Sequence, residues 1–200
     1  MKQAVLPHLS VALSAPSESA PEERARAPRL DFAEVFREHG EFVLRSVRRM
    51  GVPASDVEDV AQNVFLVVHR HIATYEGRGS VKAWLFAIVR RAVADHRRSK
   101  RRRPEIPTLD PPVGSVEAAS EAELDRLRER ALLDRALDAL DDDKRAVFVL
   151  YELEQMSMAE VAAAVGCPLQ TAYSRLYAAR DRVKEMVLAG LKGGERGDSK

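Results

Sequence analysis

The sequence predicts an all-α protein made of two small helical domains that a proline-rich linker joins. Apolar residues recur at steps of three and four along most of the 200-residue chain, and no segment alternates with period two over a useful length. Pro104, Pro107, Pro111 and Pro112 forbid a continuous helix between the two periodic stretches. The apolar fraction of 46% is enough for real cores and excludes global disorder.

The first domain is expected over residues 30–103, after a disordered tail, rich in Ala, Ser, Pro and Glu, at residues 1–29. It contains three periodic stretches, which predict three helices. Their apolar positions are Phe32, Val35, Phe36, Val43, Val47 and Met50, then Val57, Val60, Ala61, Val64, Phe65, Val68 and Ile72, and finally Val81, Leu85, Ile88 and Ala92 with Trp84 beside them. Because Trp84 lies next to the third stripe, we expect it to be mostly buried.

Helix boundaries in this domain follow from local signals. Gly51–Pro53 ends the first helix. Ser55 followed by Glu58 predicts a capping box at the start of the second. The segment Tyr75–Gly79 is expected to be a loop, and Ser80 is a suitable N-cap for a third helix that runs to about Arg102.

The second domain is expected over residues 120–188, between a linker at 104–119 and a disordered tail at 189–200. Helices resume near Ser120, and a further apolar stretch at Ala146–Leu153 follows three aspartates. Two more helices are expected after it. A capping box at Ser157 and Glu160 begins a short helix that runs through Val165 and is broken at Gly166. Pro168 then lies in the first turn of a last helix that runs to about Leu188.

The formal net charge of +1 conceals a segregation of charge along the chain. Residues 30–103 carry fifteen Lys or Arg against nine Asp or Glu, a net of +6. Residues 104–168 have a net charge of −9, and residues 169–200 return to +3. Two basic regions separated by an acidic one indicate two contacts with a polyanion, although solvated helix surface remains an alternative from charge alone.

Catalytic and metal-binding patterns are not evident in the sequence. It offers no nucleophile–base pair, glycine-rich phosphate loop or metal-ligand spacing, so we expect no enzyme activity, no metal and no cofactor. His69 and His71 are poor joint ligands because residues two apart on a helix face different directions. The single cysteine, Cys167, cannot form an internal disulfide, which fits a reducing cytoplasm. We expect neither a membrane span nor a signal peptide.

The end of the third helix is strongly basic. Eight Lys or Arg residues fall within fourteen positions and are offset only by Asp95; they are Arg90, Arg91, Arg97, Arg98, Lys100, Arg101, Arg102 and Arg103. Like charges at helical spacing repel one another, whereas a phosphate backbone would neutralise them and release counterions. The run therefore favours nucleic-acid contact over a merely solvated basic segment.

Residues 157–183 meet the requirements of a helix-turn-helix: a short capped helix, a glycine turn and a second helix of more than three turns. We expect Val161, Ala162 and Val165 to pack against Ala172, Leu176, Ala179 and Val183. The opposite face of the second helix would present its polar and aromatic side chains to bases in a major groove, namely Gln170, Tyr173, Ser174, Tyr177 and Ala178. Arg175, Arg180 and Arg182 flank that face and suit phosphates.

Three stretches resemble a known family. Residues 56–71 (D-V-E-D-V-A-Q-N-V-F-L-V-V-H-R-H) are similar to the core-binding helix of the first conserved domain of RNA polymerase sigma factors. Residues 75–98 resemble the loop and helix that melt and read the minus-ten element, and residues 136–176 resemble the second conserved domain, which reads the minus-thirty-five element. With no long domain inserted between them, the chain resembles the extracytoplasmic-function (ECF) subgroup.

The resemblance implies a function and a set of partners. The chain would bind core RNA polymerase, through the coiled coil of the largest subunit and the flap of the second-largest, and would direct it to promoter DNA; an anti-sigma factor is a further possible partner. Polymerase binding would fall to Asp56, Asp59, Gln62 and Phe65. The minus-ten contacts would come from Tyr75, Ser80, Arg90, Arg91, Arg97 and Arg98, and the minus-thirty-five contacts from Gln170, Tyr173, Ser174, Arg175, Tyr177, Arg180 and Arg182.

Three alternatives remain open at the level of sequence. A helix-turn-helix regulator that acts without polymerase fits residues 154–187 equally well, but leaves the second and third helices unexplained. A serine recombinase would need a catalytic domain with a sheet, and residues 31–103 have only helical periodicity. An anti-sigma-like interaction protein would lack the paired basic surfaces.

Overall fold

The computed structural model describes residues 30–77, 79–102 and 120–194. Across these ranges the chain forms seven α-helices and no β-strand, which confirms the predicted all-α class. The helices are α1 (Phe32–Arg49), α2 (Val57–His71), α3 (Val81–Arg102), α4 (Glu121–Asp138), α5 (Asp142–Phe148), α6 (Met158–Val165) and α7 (Leu169–Gly194). The predicted tail at 1–29 and linker at 104–119 lie outside the described residues, as do Arg78, Arg103 and residues 195–200.

Several helix ends carry the caps that the sequence predicts. The Ser80 hydroxyl accepts a hydrogen bond from the Ala83 N–H at 3.2 Å, at the start of α3. At α6, Ser157 and Glu160 form a reciprocal capping box. The same helix ends at Gly166 in the left-handed conformation (φ 69°), which glycine adopts without a steric penalty.

The predicted capping box at Ser55 and Glu58 is wrong. The chain enters α2 through a 3₁₀ turn at Ala54–Asp56, and no side chain caps the helix. The Ser55 hydroxyl donates instead to the Asp56 carboxylate at 3.0 Å. The Asp56 carboxylate in turn lies close to the side chains of His96 and Lys100 in α3, which tertiary packing brings to this end of α2.

The two longest departures from the predicted helix bounds are in the second half of the chain. The stretch expected at Ala146–Leu153 begins earlier, at Asp142, and changes to a π-helical turn over Val149–Leu153. The last helix continues six residues beyond the expected end at Leu188, so residues 189–194 are helical rather than a disordered tail. Gly190 lies so close to α4 that a Cβ atom there would be 2.6 Å from the Leu132 side chain.

The helices form two units. Helices α1, α2 and α3 pack pairwise into an N-terminal unit whose inaccessible side chains include Val43, Val64 and Phe86. Helices α4–α7 form a C-terminal unit around Leu137, Leu150 and Leu176.

The buried residues of both units belong to one continuous apolar cluster. Helix α3 contacts α6 directly. We call the contact between the units the seam; α1 and α3 lie on one side, and α5, the π turn and α6 on the other. No helix in the described ranges is both long enough and apolar enough to cross a membrane.

Candidate polymerase and nucleic-acid interfaces

Helices α6 and α7 form the predicted helix-turn-helix around Gly166. Their facing residues are buried as expected, with Val183 half-buried at the edge; the buried set is Val161, Ala162, Val165, Ala172, Leu176 and Ala179. Small side chains at 162 and 172 let the two helices approach closely, which fixes the orientation of α7 relative to α6.

The opposite face of α7 is open. Gln170, Tyr173, Ser174, Tyr177 and Ala178 are all exposed, and the Tyr177 side chain is 58% accessible. Leu169, at 45% accessible, extends this face to the helix N-terminus and was not among the candidates from sequence. Ser174 donates to the Gln170 carbonyl oxygen at 3.0 Å. A surface of hydroxyl, amide and aromatic groups on the second helix of such a motif is suited to reading base edges.

The three arginines beside this face differ in their surroundings. Arg180 donates to Glu152 at 2.6 Å and lies 5.6 Å from the centre of the Tyr151 ring, and the hydrogen bond to Glu152 raises the pKa of Arg180. Arg182 pairs with Glu185 one turn along α7 at 3.1 Å, and both groups are exposed. Arg175 instead is half-buried and donates to Asp143 of α5.

The predicted minus-ten arginines separate into two stripes of α3. Arg91 and Arg98 are exposed, and they continue a line with Ala87 and Arg102 along one side of the helix. Arg90 and Arg97 are half-buried and turn towards the C-terminal unit.

Both inward arginines are hydrogen-bonded across the seam. Arg90 donates to the Val165 carbonyl oxygen at 2.8 Å and to Asp143 at 2.7 Å. Arg97 pairs with Asp142 of α5, and within its own unit it donates to the Met50 carbonyl oxygen at 2.5 Å. The only sequence signal for these contacts is the opposite charge of the segments, which does not say which residues meet.

The loop before α3 is organised by two aromatic rings. The Tyr75 and Trp84 rings lie 5.0 Å apart, and the Tyr75 hydroxyl donates to the Gly79 carbonyl oxygen at 3.0 Å. Burial raises the pKa of Tyr75. Trp84 is half-buried rather than mostly buried as predicted, because it packs at the edge of the core, beside the Tyr75 ring. Of the predicted stripe of α3 only Leu85 is buried, and the other buried residues of this helix are Ala83, Phe86, Val89 and Val93.

The predicted polymerase-binding residues occupy different depths of α2. Asp59 and Gln62 are exposed. Phe65 is only 8% accessible and meets the Phe36 ring at 4.7 Å, edge to face. Leu66 and Phe36, each about half exposed, are the apolar groups at the surface near it, and sequence reasoning missed both as candidates.

Asp56 links α2 to α3. Its carboxylate lies 3.1 Å from His96 Nε2 and 3.0 Å from Lys100 Nζ, and its side chain is 18% accessible. Burial by itself would raise the pKa of Asp56, but hydrogen bonds from Lys100 and Ser55 and the nearby positive charge hold it below its ordinary value. The group is therefore ionised and fixed at neutral pH.

Within the part of the chain that the structure describes, no group of three or more His, Cys, Asp or Glu side chains is arranged to hold a metal ion. Cys167 is half-buried at the turn between α6 and α7.

Comparison with known proteins matches both units to one family. Residues 35–103 match the family model for Sigma-70 region 2, and residues 130–183 match that for Sigma-70, region 4. An RNA polymerase sigma-E factor of Streptomyces coelicolor is 32% identical over 160 residues, which cover 80% of this chain and 88% of that protein. The ECF RNA polymerase sigma-E factor of Escherichia coli K12 is 29% identical over 145 residues, 68% of this chain and 76% of the other.

Solved structures share the arrangement of helices. CnrH, in complex with the cytosolic domain of CnrY, superposes with a TM-score of 0.61 at 25% identity, covering 84% of this chain and 96% of that one. The sigma factor RpoE of Bartonella quintana, in complex with the anti-sigma factor NepR, also gives 0.61, at 21% identity over 78% of this chain and 96% of that one. The chain thus belongs to the sigma-70 family and is an ECF-type sigma factor, which binds RNA polymerase and directs transcription initiation from promoters.

Proposed function

We propose that the chain directs RNA polymerase through surfaces that contact the enzyme and through a separate surface for each of the two promoter elements. The observation that carries this proposal is the exposed polar and aromatic face of α7, the second helix of the helix-turn-helix. The same chain has a second candidate for DNA contact in α3, whose C-terminal end is basic. We further propose that the functional domains span residues 30–103 and 120–188, with residues 104–119 as their linker.

The proposed polymerase surface is the outer face of α2. Asp59 and Gln62 would contact the coiled coil of the largest subunit, and the neighbouring exposed Leu66 would add an apolar contact. Asp56 and Phe65 would support this surface without forming it, because Asp56 is paired to Lys100 of α3 and Phe65 is packed under Phe36. The C-terminal unit would hold the flap of the second-largest subunit, as the family resemblance implies.

The proposed promoter contacts use both helical units. The minus-ten element would meet Tyr75, Ser80, Arg90, Arg91, Arg97 and Arg98. The minus-thirty-five element would meet Gln170, Tyr173, Ser174 and Tyr177 through its bases, and Arg175, Arg180 and Arg182 through its phosphates. Phosphate contacts would position the protein, while the α7 face would select the sequence.

We propose that the chain acts in the cytoplasm, where RNA polymerase works, without enzyme activity of its own and without a cofactor. An anti-sigma factor is a further proposed partner. Support for that partner comes from the fold, since RpoE of Bartonella quintana has the same architecture and is bound by the anti-sigma factor NepR.

Run-off transcription tests the proposal directly. Core polymerase with this chain should initiate at a defined set of sites in a genomic fragment library, and core polymerase alone should not. The rival regulator that acts without polymerase predicts strong binding of the purified chain to specific duplex DNA and no association with core polymerase. That pair of results would overturn the proposal.

A further inference from the structure

The exposed side chains at the start of α7 have the chemistry that binds adenine and thymine. We call them the open face; they are Leu169, Gln170, Tyr173, Ser174, Tyr177 and Ala178. A glutamine amide can bind adenine through N6 and N7 together, and apolar side chains pack on the methyl group of thymine. Guanine is most often bound through O6 and N7 by Arg or Lys, and the open face contains neither.

The cations of α7 are kept away from the open face by the fold. In a helix-turn-helix the N-terminal residues of the second helix contact base edges, and here these are residues 169–179. Arg175 is the only Lys or Arg among them. Its guanidinium is half-buried and pairs with Asp143 of α5, so it points into the C-terminal unit. Residues 169–179 therefore offer no cationic group to a base edge.

The two arginines that follow are also held by carboxylates. Arg180 donates to Glu152 of the π-helical turn at 2.6 Å, and Arg182 pairs with Glu185 at 3.1 Å. Both lie at the margin of the open face, where phosphates and not base edges would be within reach. The structure thus separates the groups suited to phosphates from the groups suited to bases.

The hydroxyl of Ser174 adds a geometric reason against guanine. It donates its only proton to the Gln170 carbonyl oxygen at 3.0 Å. The oxygen then offers only lone pairs to a base, and these can accept from adenine N6 or cytosine N4 but cannot bind the acceptors O6 and N7 of guanine. The tyrosine hydroxyls do not discriminate in this way, because a single donor can bind an acceptor of guanine, adenine or thymine.

We propose that the open face of α7 selects A·T pairs at the upstream promoter element and does not read guanine. The inference rests on the proposed function, which assigns this face to the minus-thirty-five element. Gln170 binds an adenine, and the apolar groups of Leu169 and Ala178 contact thymine methyls. Sequence preference then comes from amide and apolar contacts, while the arginines add affinity through phosphates.

The test uses the holoenzyme on a promoter that run-off transcription has identified. The upstream segment that the holoenzyme protects from cleavage is randomised while the minus-ten element is kept, and sequencing of the bound fragments gives the preferred pair at each position. The pairs that α7 contacts are those whose preference changes with Gln170→Ala or with the two substitutions below. At these pairs we expect A·T or T·A, with about tenfold discrimination against G·C at the pair that Gln170 binds.

Two substitutions change the chemistry of the open face without entering the core. Gln170→Glu leaves only acceptors, so the preference at one pair should change from adenine to cytosine. Ala178→Arg places a guanidinium on the face and should create a preference for guanine of about tenfold at another pair. The matched control is Ala189→Arg, which adds the same group at an exposed position about three turns further along the helix and should not change the preferred bases. Circular dichroism verifies that each variant is folded.

Modified bases separate contact with α7 from an effect of DNA shape. A·T-rich DNA also has a narrow minor groove, which attracts cationic side chains without any contact to the base edges in the major groove. Replacing the selected adenine by 7-deazaadenine removes its N7 acceptor and should weaken binding of the wild type several-fold, but not binding of Gln170→Ala. Replacing thymine by uracil removes the methyl group and should also weaken binding of the wild type.

Three results would overturn the inference. The first is selection of guanine by the wild type at a pair that responds to substitution in α7. The second is an A·T preference that Gln170→Glu and Ala178→Arg both leave unchanged. The third is an equal effect of 7-deazaadenine on the wild type and on Gln170→Ala, which would assign the preference to DNA shape. Absence of promoter-dependent initiation by the wild type with core polymerase would instead contradict the proposed function.

Discussion

Helices α3 and α7 are both expected to bind promoter DNA, but the free chain presents them differently. The reading face of α7 is open, with Tyr177 more than half exposed. On α3 the arginines are divided, because Arg91 and Arg98 face outward whereas Arg90 and Arg97 bind the chain's own C-terminal unit. The polar face of α7 is thus open in the free chain, while only part of the basic surface of α3 is.

The largest expected difference between the two helices is in stability. Leu176→Ala should lower the free energy of unfolding by about 2–5 kcal/mol, because the side chain is 1% accessible between α6 and α7. Trp84→Ala on α3 should cost less, about 1–2 kcal/mol, since part of the indole is already at the surface. Urea unfolding measures both, with Tyr177→Ala as an exposed control. Equal losses at 84 and 176 would mean that Trp84 belongs to the core after all.

Base selection at the minus-thirty-five element should depend on the exposed face of α7. Replacing Ser174 or Tyr177 should change which upstream element is preferred, by about 1–3 kcal/mol for each lost base contact. Arg182→Ala should weaken all promoters alike and lower the salt slope by about one unit. Holoenzyme transcription across a promoter library measures both effects. A uniform loss for every substitution would remove α7 as a reading element and leave promoter choice to residues 75–98.

Substitution of an exposed residue of α2 should weaken polymerase binding without lowering the stability of the fold. Asp59→Arg should weaken association with core polymerase by about tenfold, since a like-charge contact replaces a favourable one, and the thermal melt should be nearly unchanged. Glu38→Arg, an equal charge reversal on α1, is the control. If helix content falls together with binding, Asp59 stabilises the fold and is not a polymerase contact.

The exposed and the half-buried arginines of α3 should differ in how much they contribute to DNA binding by the free chain. Arg91→Ala should lower the salt slope of non-specific duplex binding by about 0.9 unit, whereas Arg90→Ala should leave it unchanged because Asp143 already holds that side chain. In the holoenzyme both substitutions should weaken binding. A lower slope for Arg90→Ala in the free chain would show that the seam leaves Arg90 available.

The smallest expected effect is a pH dependence at Asp56. Its pKa is lower in the folded chain than in the unfolded one, so its stabilising contribution is present above the unfolded pKa and is lost as pH falls through the folded pKa. Asp56→Asn should therefore flatten the acid limb of the stability curve and leave its neutral-to-alkaline part parallel to the wild type. Urea midpoints measured from neutral to acidic pH test this; an unchanged acid limb would mean that Asp56 is not held by Lys100.

The features that the sequence alone determined are those that depend on neighbours in the chain. Helical periodicity, the Ser80 and Ser157 caps and the Gly166 break all act within one or two turns, and the structure confirms each of them. The open face of α7 followed from the same logic, because one side of an amphipathic helix is committed to the core and the other must be exposed.

Contacts between distant segments were decided only by the tertiary structure. Ser55 and Glu58 have the spacing of a capping box, yet Asp56 turns to Lys100, forty-four residues away, and the cap does not form. Phe65 was predicted both in the apolar stripe of α2 and as a polymerase contact, and the structure buries it against Phe36. Arg90 was predicted as a DNA contact, and α5 brings Asp143 to it. An ion pair needs only opposite charges at a few ångströms, so a chain with 32 basic and 31 acidic residues allows many pairings, and packing alone selects among them.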